Sequence, residues 1–250
     1  MKPIITVLLP NYNEAENVKR GVLTTVINYL SKQKFASEII ISDDGSTDNS
    51  LDLIAKFTSS QKNVRILKNE HAGKPYALRA GINAAKGEFV LLTDMDQSTP
   101  ITELSKLMPF IKDYNVVIGS RGARRADSSA IRKLASVIFL YIRRFILLPE
   151  IKDTQCGFKL MKTSLAQRIF KHMRIFGRAN NAIGWKVTAY DVEMLHLAKK
   201  FGEPIKEVRV LWKNEDTSSG KSRNFVKESL EMLFEIMRVR INDMLGKYDK

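Results

Sequence analysis

Three short polar runs each follow an apolar stretch of strand-forming residues. Asp94-Met95-Asp96 comes after Phe89-Val90-Leu91-Leu92, so two carboxylates emerge where a buried strand runs out. Hard oxygens at this spacing suit Mg²⁺ or Mn²⁺, which keep coordination positions open for diphosphate oxygens and neutralise charge on a leaving group. A lone Asp-x-Asp equally suits a solvated turn whose acids cap the next helix. Asp43-Asp44-Gly45-Ser46-Thr47-Asp48 follows a second strand, with Gly45 permitting a tight turn close to a ligand. By itself it too reads as a capped strand-to-helix turn. Pro10-Asn11-Tyr12-Asn13-Glu14 follows the first strand. The three runs gain meaning together, because parallel strands of an open α/β sheet deliver their carboxyl ends, and any ligand, to one edge.

A second chemistry is cationic. Arg121, Arg124, Arg125 and Arg132 follow another strand, and planar guanidinium groups suit bidentate recognition of phosphate. A solvated basic face and a nucleic-acid surface are the competing readings. The chain has neither zinc-finger cysteine spacing nor an aromatic RNA-binding signature, which counts against nucleic acid as partner. Ser219-Gly220-Lys221-Ser222 has Glu215 where a phosphate-binding loop needs glycine, leaving Lys221 and Arg223 as candidate contacts to diphosphate or acceptor. No Gly-x-Gly-x-x-Gly run calls for a dinucleotide. His71, His172 and His196 are scattered singly, and Cys156 reads as a small buried residue.

The elements that must position these residues are legible as alternating strand and helix patterns. Strands are expected at Ile4 to Leu9, Glu38 to Ser42, Val64 to Leu67, Phe89 to Thr93, Val116 to Gly119 and Pro204 to Trp212, with helices between. Asn13 with Glu16 forms a capping-box pattern, and Thr99-Pro100 a second helix start. A helix is expected over Asp191 to Lys200. The expected class is α/β with a mostly parallel central sheet, flanking helices and a C-terminal amphipathic helix. Residues 1–223 form the domain and 224–250 the appended helix.

The 250-residue chain is 44% hydrophobic and carries a net charge of +14, enough apolar content for a core and a balance that suits polyanions or anionic lipid. A single cysteine excludes an internal disulfide, and the amino-terminal residues lack a signal-peptide layout, so the expected compartment is cytoplasmic. No run reaches the roughly 18 to 20 apolar residues of a spanning helix. Leu134 to Leu148 reads as an interfacial helix or as a core or dimer helix, leaving homo-oligomerisation open. In Phe225 to Leu245 the apolar residues Phe225, Val226, Leu230, Leu233, Phe234, Met237, Ile241 and Leu245 form one stripe. Peripheral attachment to the cytoplasmic face of an anionic membrane is the expectation.

The runs Leu9 to Asn17, Ser42 to Asp48 and Thr93 to Asp96, in this order and spacing, resemble the inverting GT-A glycosyltransferases of family 2. Gly119-Ser120-Arg121, Asp153-Thr154-Gln155-Cys156-Gly157-Phe158-Lys159 and Tyr190-Asp191-Val192-Glu193 narrow the resemblance to polyprenyl-phosphate sugar synthases, and most to the dolichyl-phosphate β-glucosyltransferase branch. It spans about residues 3–223. The resemblance implies that Pro10, Tyr12, Glu14, Asp43 and Asp44 line a nucleoside pocket, and that Gly73, Lys74 and Arg79 close over the donor. Pro75 and Tyr76 replace the small residues usual there. Asp94 and Asp96 would bind nucleotide-sugar and metal. Relatives carry glutamine two residues beyond the second Asp, where this chain has Ser98, so Gln97 is the candidate third ligand.

The same resemblance places the lipid phosphate near Arg121 and the arginines after it. It implies inverting transfer of a hexose to polyprenyl or dolichyl phosphate, with UDP-glucose favoured over GDP-mannose as donor. Asp96, Asp191 and Arg121 are then the candidate catalytic residues, and Asp191 acts as base, orients the acceptor or caps its helix. A phosphate monoester is largely dianionic at neutral pH, so it needs cationic positioning more than a base. The alternatives are transfer to a sugar hydroxyl in polysaccharide or glycoprotein glycan synthesis, and a non-catalytic basic scaffold.

Overall fold

The computed structural model describes residues 3–122, 148–177, 190–213 and 225–249. Within them lie strands β1 (Ile5–Asn11), β2 (Ser37–Asp43), β3 (Val64–Lys68), β4 (Phe89–Leu92), β5 (Val116–Ser120), β6 (Lys159–Lys162) and β7 (Ile205–Arg209). The helices are α1 (Ala15–Lys19), α2 (Val22–Ser31), α3 (Ser50–Thr58), α4 (Lys74–Ala84), α5 (Leu104–Leu107), α6 (Thr163–His172), α7 (Tyr190–Lys200) and α8 (Phe225–Met244). The strands form one sheet in the order β3-β2-β1-β4-β6-β5-β7. All pairings are parallel except those of β6, which runs antiparallel to both β4 and β5.

Both faces of this sheet are covered, which is why β1 is buried at every residue and reads as an unbroken apolar run. Side chains alternate between faces along each strand. Leu8, Ile40, Val90 and Ile118 pack with apolar residues of α4, α6, α7 and the second half of α8. Val7, Leu9, Ile39, Ile41, Leu91 and Val117 pack on the other side against α2, Ile54 of α3 and Leu104 and Leu107 of α5.

Several local expectations are corrected. β1 runs two residues further than its apolar stretch, because Pro10 and Asn11 pair with Ser42 and Asp43 of β2. Asn13 does not cap α1: it has φ 54°, and the residue at the cap position is Glu14. The Asn13 side-chain oxygen instead accepts the N–H groups of Thr47 (2.8 Å) and Asp48 (3.2 Å), and Asp48 accepts the N–H of Ala15 at 3.1 Å. A tertiary stitch between two loops thus replaces the local capping box. Thr99 makes no cap either, since Pro100 precedes a single 3₁₀ turn, Ile101–Glu103, and the Thr99 hydroxyl faces Cys156 Sγ at 3.9 Å. Strand β6 was not expected, being four residues long with lysine at each end.

The C-terminal helix also differs from its sequence pattern. Ile236 and Val239 are fully buried against the body, while Phe234 (71% exposed), Met237, Ile241 and Met244 (74% exposed) face outward. From residue 233 on the helix is therefore apolar on two sides, and the residues that dock, Ile236 and Val239, lie outside the long stripe. Ile236→Ala is expected to cost about 2–5 kcal/mol in chemical denaturation and Ile241→Ala less than about 0.5 kcal/mol, from burial alone; equal costs would contradict this docking.

Candidate active site

The paired ends of β1 and β2 build the first part of the site. Asn11 sits opposite Asp43 in the ladder and donates its amide to the Asp43 carboxylate at 2.6 Å. Asp43 also accepts the N–H groups of Gly45 (3.1 Å) and Ser46 (3.0 Å) and the Ser46 hydroxyl (2.5 Å), so this buried carboxylate organises the turn that follows β2. Gly45, with φ 72°, lies so close to the backbone of His71 that a Cβ would be 2.8 Å from its nitrogen. Asp44, also buried, reaches across to the loop before α4 and accepts the N–H groups of Ala72 (3.0 Å) and Gly73 (2.9 Å). Burial pushes the Asp44 carboxyl up, against the pull of these donors and of His71. His71 Nδ1 is 3.0 Å from that carboxylate, and its ring stacks on Tyr12 with centroids 4.3 Å apart. Two aromatic faces and a set of clamped backbone amides thus stand at the ends of β1 and β2.

The second part lies beyond β4. Asp94 pairs with Lys74, the first residue of α4. Burial opposes both charges, yet each partner overrides it, so Lys74 is held above its ordinary range and Asp94 below its own, with Lys159 and Arg121 assisting. Asp94 also rests against the loop before β6: a Cβ on Gly157 would be 2.2 Å from its Oδ2, so only glycine admits the carboxylate there. Lys159, fully buried at the start of β6, donates to Asp191 at 2.7 Å and to the carbonyl of Cys156. Arg121, just past β5, holds Asp153 through two bonds of 2.8 Å, and its own N–H donates to the same carboxylate at 3.0 Å. The antiparallel β6 explains the meeting. Lys159 is opposite both Leu92, where β4 ends, and Ile118 near the end of β5, so the loop feeding β6 lies along the edge where parallel strands finish.

The turn after Asp94 is tightly wound. Asp96 accepts the N–H of Ser98 at 2.8 Å, and its carbonyl takes a bond from Arg20 at 2.5 Å. Gln97, at φ 52°, folds its amide nitrogen back onto the Asp94 carbonyl (2.8 Å) and the Thr93 hydroxyl (3.2 Å). That leaves the Gln97 side-chain oxygen buried without a donor. Two carboxylates and an orphaned amide oxygen lie in one turn, hard oxygens of the kind that Mg²⁺ or Mn²⁺ takes. Among the described residues no group of three His, Cys, Asp or Glu side chains gathers for a metal.

Of the expected site residues, Tyr12, Asp44 and Gly73 meet at one end, and Lys74, Asp94 and Asp191 at the other. Pro10 lies in β1, and Glu14 turns toward Asn17, which donates to it at 2.5 Å. Arg79 does not join the Lys74 pair: its guanidinium lies 4.1 Å over the Phe176 ring and 5.1 Å over Tyr76. Arg124, Arg125, Arg132, Lys221 and Arg223 fall outside the described residues. Asp153 and Lys159, which hold Arg121 and Asp191, stand in the sequence only as the ends of one family-like run, with no role assigned to either. The signal was present as a lysine opening the short run Lys159-Leu160-Met161, whose partner carboxylate is 32 residues away.

This two-part edge, on a sheet of parallel strands interrupted by one antiparallel strand, is the GT-A glycosyltransferase fold. Mannosyl-3-phosphoglycerate synthase from Rubrobacter xylanophilus superposes with TM-score 0.64 at 14% identity, over 98% of this chain and 75% of that one. A mannosyltransferase from Pyrobaculum calidifontis, solved with GDP-Man and Mn²⁺, gives 0.61 at 17% identity over 97% and 65%. The sequence profile of Glycosyl transferase family 2 matches residues 6–170, and the chain belongs to that family. A dolichyl-phosphate beta-glucosyltransferase of Dictyostelium discoideum is 32% identical over 261 aligned residues, 97% of this chain and 75% of that protein. The Saccharomyces cerevisiae protein of the same name is 30% identical over 98% of this chain and 76% of its own length. The protein is a glycosyltransferase.

The Arg121 pair has a consequence for pH. Burial works to raise the Asp153 carboxyl, and Arg121 overrides it, bringing it from an ordinary 3.8 down to about 2. A carboxyl depressed on folding adds stability that is complete above its unfolded value and lost as pH falls through the folded one. Between about pH 4 and pH 2 the wild type is therefore expected to lose stability more steeply than Asp153→Asn in denaturation at a series of pH values. Parallel curves would remove Asp153 from the acid response.

Proposed function

We propose that this glycosyltransferase moves a hexose from a nucleotide-diphosphate sugar onto the phosphate of dolichyl or another polyprenyl phosphate, with inversion. Glucose from UDP-glucose is preferred over mannose from GDP-mannose. The observation that carries the proposal is the set of cations, fully buried Lys159 and half-buried Lys74 and Arg121, interleaved with Asp94, Asp191 and Asp153 along one strand edge. Such a site favours substrates that bring phosphate charge from both sides, a donor diphosphate and an acceptor monoester. The names of the relatives in Dictyostelium discoideum and Saccharomyces cerevisiae support the acceptor and the sugar.

In this proposal Tyr12 and His71 receive the base, while Asp43 and Asp44 keep the surrounding loops in shape, together with Pro10, Glu14 and Gly73. Asp94, Asp96 and Gln97 would hold Mg²⁺ or Mn²⁺, which when bound offsets charge on the departing diphosphate. Lys74 would pair with the donor diphosphate. Arg121 with the arginines beyond it orients the acceptor phosphate, which attacks as a dianion and needs no proton removed. Asp191 faces the reacting groups through its pair with Lys159, keeping that side chain aimed rather than serving as base.

Transfer of labelled sugar from UDP-glucose, with GDP-mannose in parallel, to a short polyprenyl phosphate is the test. Chelator-sensitive transfer is expected, faster from UDP-glucose. Metal-dependent donor hydrolysis without transfer would sink the lipid-phosphate acceptor, and unchanged transfer in chelator would sink the metal.

We further propose that the enzyme works at the cytoplasmic face of an anionic membrane, with 224–250 as its contact. No helix among the described residues is long and apolar enough to cross a bilayer. The outward row Phe234, Met237, Ile241, Met244 and Leu245 is exposed on a chain of net charge +14, a combination that suits an anionic interface. Co-sedimentation with phosphatidylserine vesicles is expected for the wild type and reduced by Phe234→Ser/Met244→Ser. Absence of binding at low salt would overturn it.

A further inference from the structure

The first turn of α7 is gripped from two sides. Residues two apart on a helix point about 200° apart, so Asp191 and Glu193 face opposite ways. Tyr190 and Asp191 face the charged edge, where Asp191 takes Lys159 at 2.7 Å. Glu193, a fully buried carboxylate, accepts the N–H of Arg174 at 2.7 Å and the Tyr248 hydroxyl at 2.8 Å, and Arg238 of α8 approaches it at 3.4 Å. The surrounding chain closes into a clasp. The Arg174 guanidinium donates to the Lys247 carbonyl at 3.0 Å, while Lys200 at the other end of α7 pairs with Asp243 (2.6 Å) and Asp249 (2.7 Å).

We propose that Glu193 is a positioning residue for glycosyl transfer: by seating the C-terminal residues 238–248 on the back of α7, it fixes the rotation of the turn that presents Asp191. A buried carboxylate deprived of donors is strongly disfavoured, so the turn stays where Glu193 meets all three groups. Rotation about the helix axis would break both grips at once. Asp191 therefore keeps its place relative to Lys159 and Asp94 because of contacts on the far side of its helix, made by a segment distant in sequence. The proposal rests on the assignment of Asp191 to the reaction.

The test uses the full chain and sugar transfer from UDP-glucose to a short polyprenyl phosphate, with nucleotide affinity and melting temperature measured alongside. Glu193→Gln is expected to lower kcat on the order of tenfold, as small displacements within a reacting site do, with donor KM and UDP affinity held within about twofold. Tyr248→Phe, a gentler change that keeps the ring, should lower kcat in the same direction. Lys200→Met removes the exposed end of the clasp and should lower the melting temperature while leaving kcat unchanged. The deciding measurement is the double variant Glu193→Gln/Asp191→Asn, which should be no slower than Asp191→Asn alone. Multiplying losses in the double variant, or an equal loss of kcat in Lys200→Met, would overturn the proposal in favour of general destabilisation. Full turnover in Glu193→Gln beside an impaired Asp191→Asn would overturn the positioning role alone, whereas full turnover in Asp191→Asn would remove Asp191 from the reaction.

Discussion

Charge pairing under partial desolvation is the constraint on which the site depends. Lys74 with Asp94, Lys159 with Asp191, and Arg121 with Asp153 each join residues from different elements at one edge of the sheet. Two unit charges 4 Å apart interact by about 4 kcal/mol at an effective dielectric near 20, whereas leaving one of them buried and unpaired costs several kcal/mol. Each pair is thus more valuable as a constraint on geometry than as net stability. Lys74 ties α4 to the end of β4, Arg121 ties the end of β5 to the loop before β6, and Lys159 ties β6 to α7.

The antiparallel strand β6 makes two of these pairs possible, Arg121 with Asp153 and Lys159 with Asp191. Parallel strands deliver only their carboxyl ends to the working edge. Because β6 enters from that edge, the loop before it contributes Asp153 and Gly157, and its own first residue the buried Lys159, to the same place. Gly157 lets that loop come close, since any side chain there would occupy the space of the Asp94 carboxylate. In the proposed reaction these cations exchange part of their internal carboxylate partnership for substrate phosphate. Such an exchange needs no proton movement and little rearrangement, which is the condition for electrostatic stabilisation without reorganisation.

The acid-rich turns also divide their labour in a way their composition conceals. Asp43 and Asp44 are adjacent and both buried, yet Asp43 closes its own turn while Asp44 reaches the loop before α4. Similarly, Asp191 and Glu193 stand two residues apart and serve opposite sides of one helix. The chemistry of a carboxylate is the same in each case, and its role follows from which donors the fold brings to it.

The strands, their order along the chain, the acidic turns at β1, β2 and β4 and the α/β class were legible from the sequence, because these features are local. Apolar runs of strand length ended by polar turns reflect backbone geometry and burial on both faces, and neither needs a distant partner. Strand β6, the stitch of Asn13 to the turn at Thr47 and Asp48, the seat of Lys159, and the face on which α8 docks were decided by tertiary structure. A four-residue strand with lysine at both ends has no periodicity to read, and an asparagine that would cap a helix locally is diverted once another loop offers two backbone donors. An ion pair whose members lie 32 residues apart is invisible until the sheet sets its register. The sequence by itself determined which groups were available to bind phosphate and metal, and only the packing of β6 and α7 decided which of them face one another, because desolvated charges take their partners from three-dimensional proximity rather than from spacing along the chain.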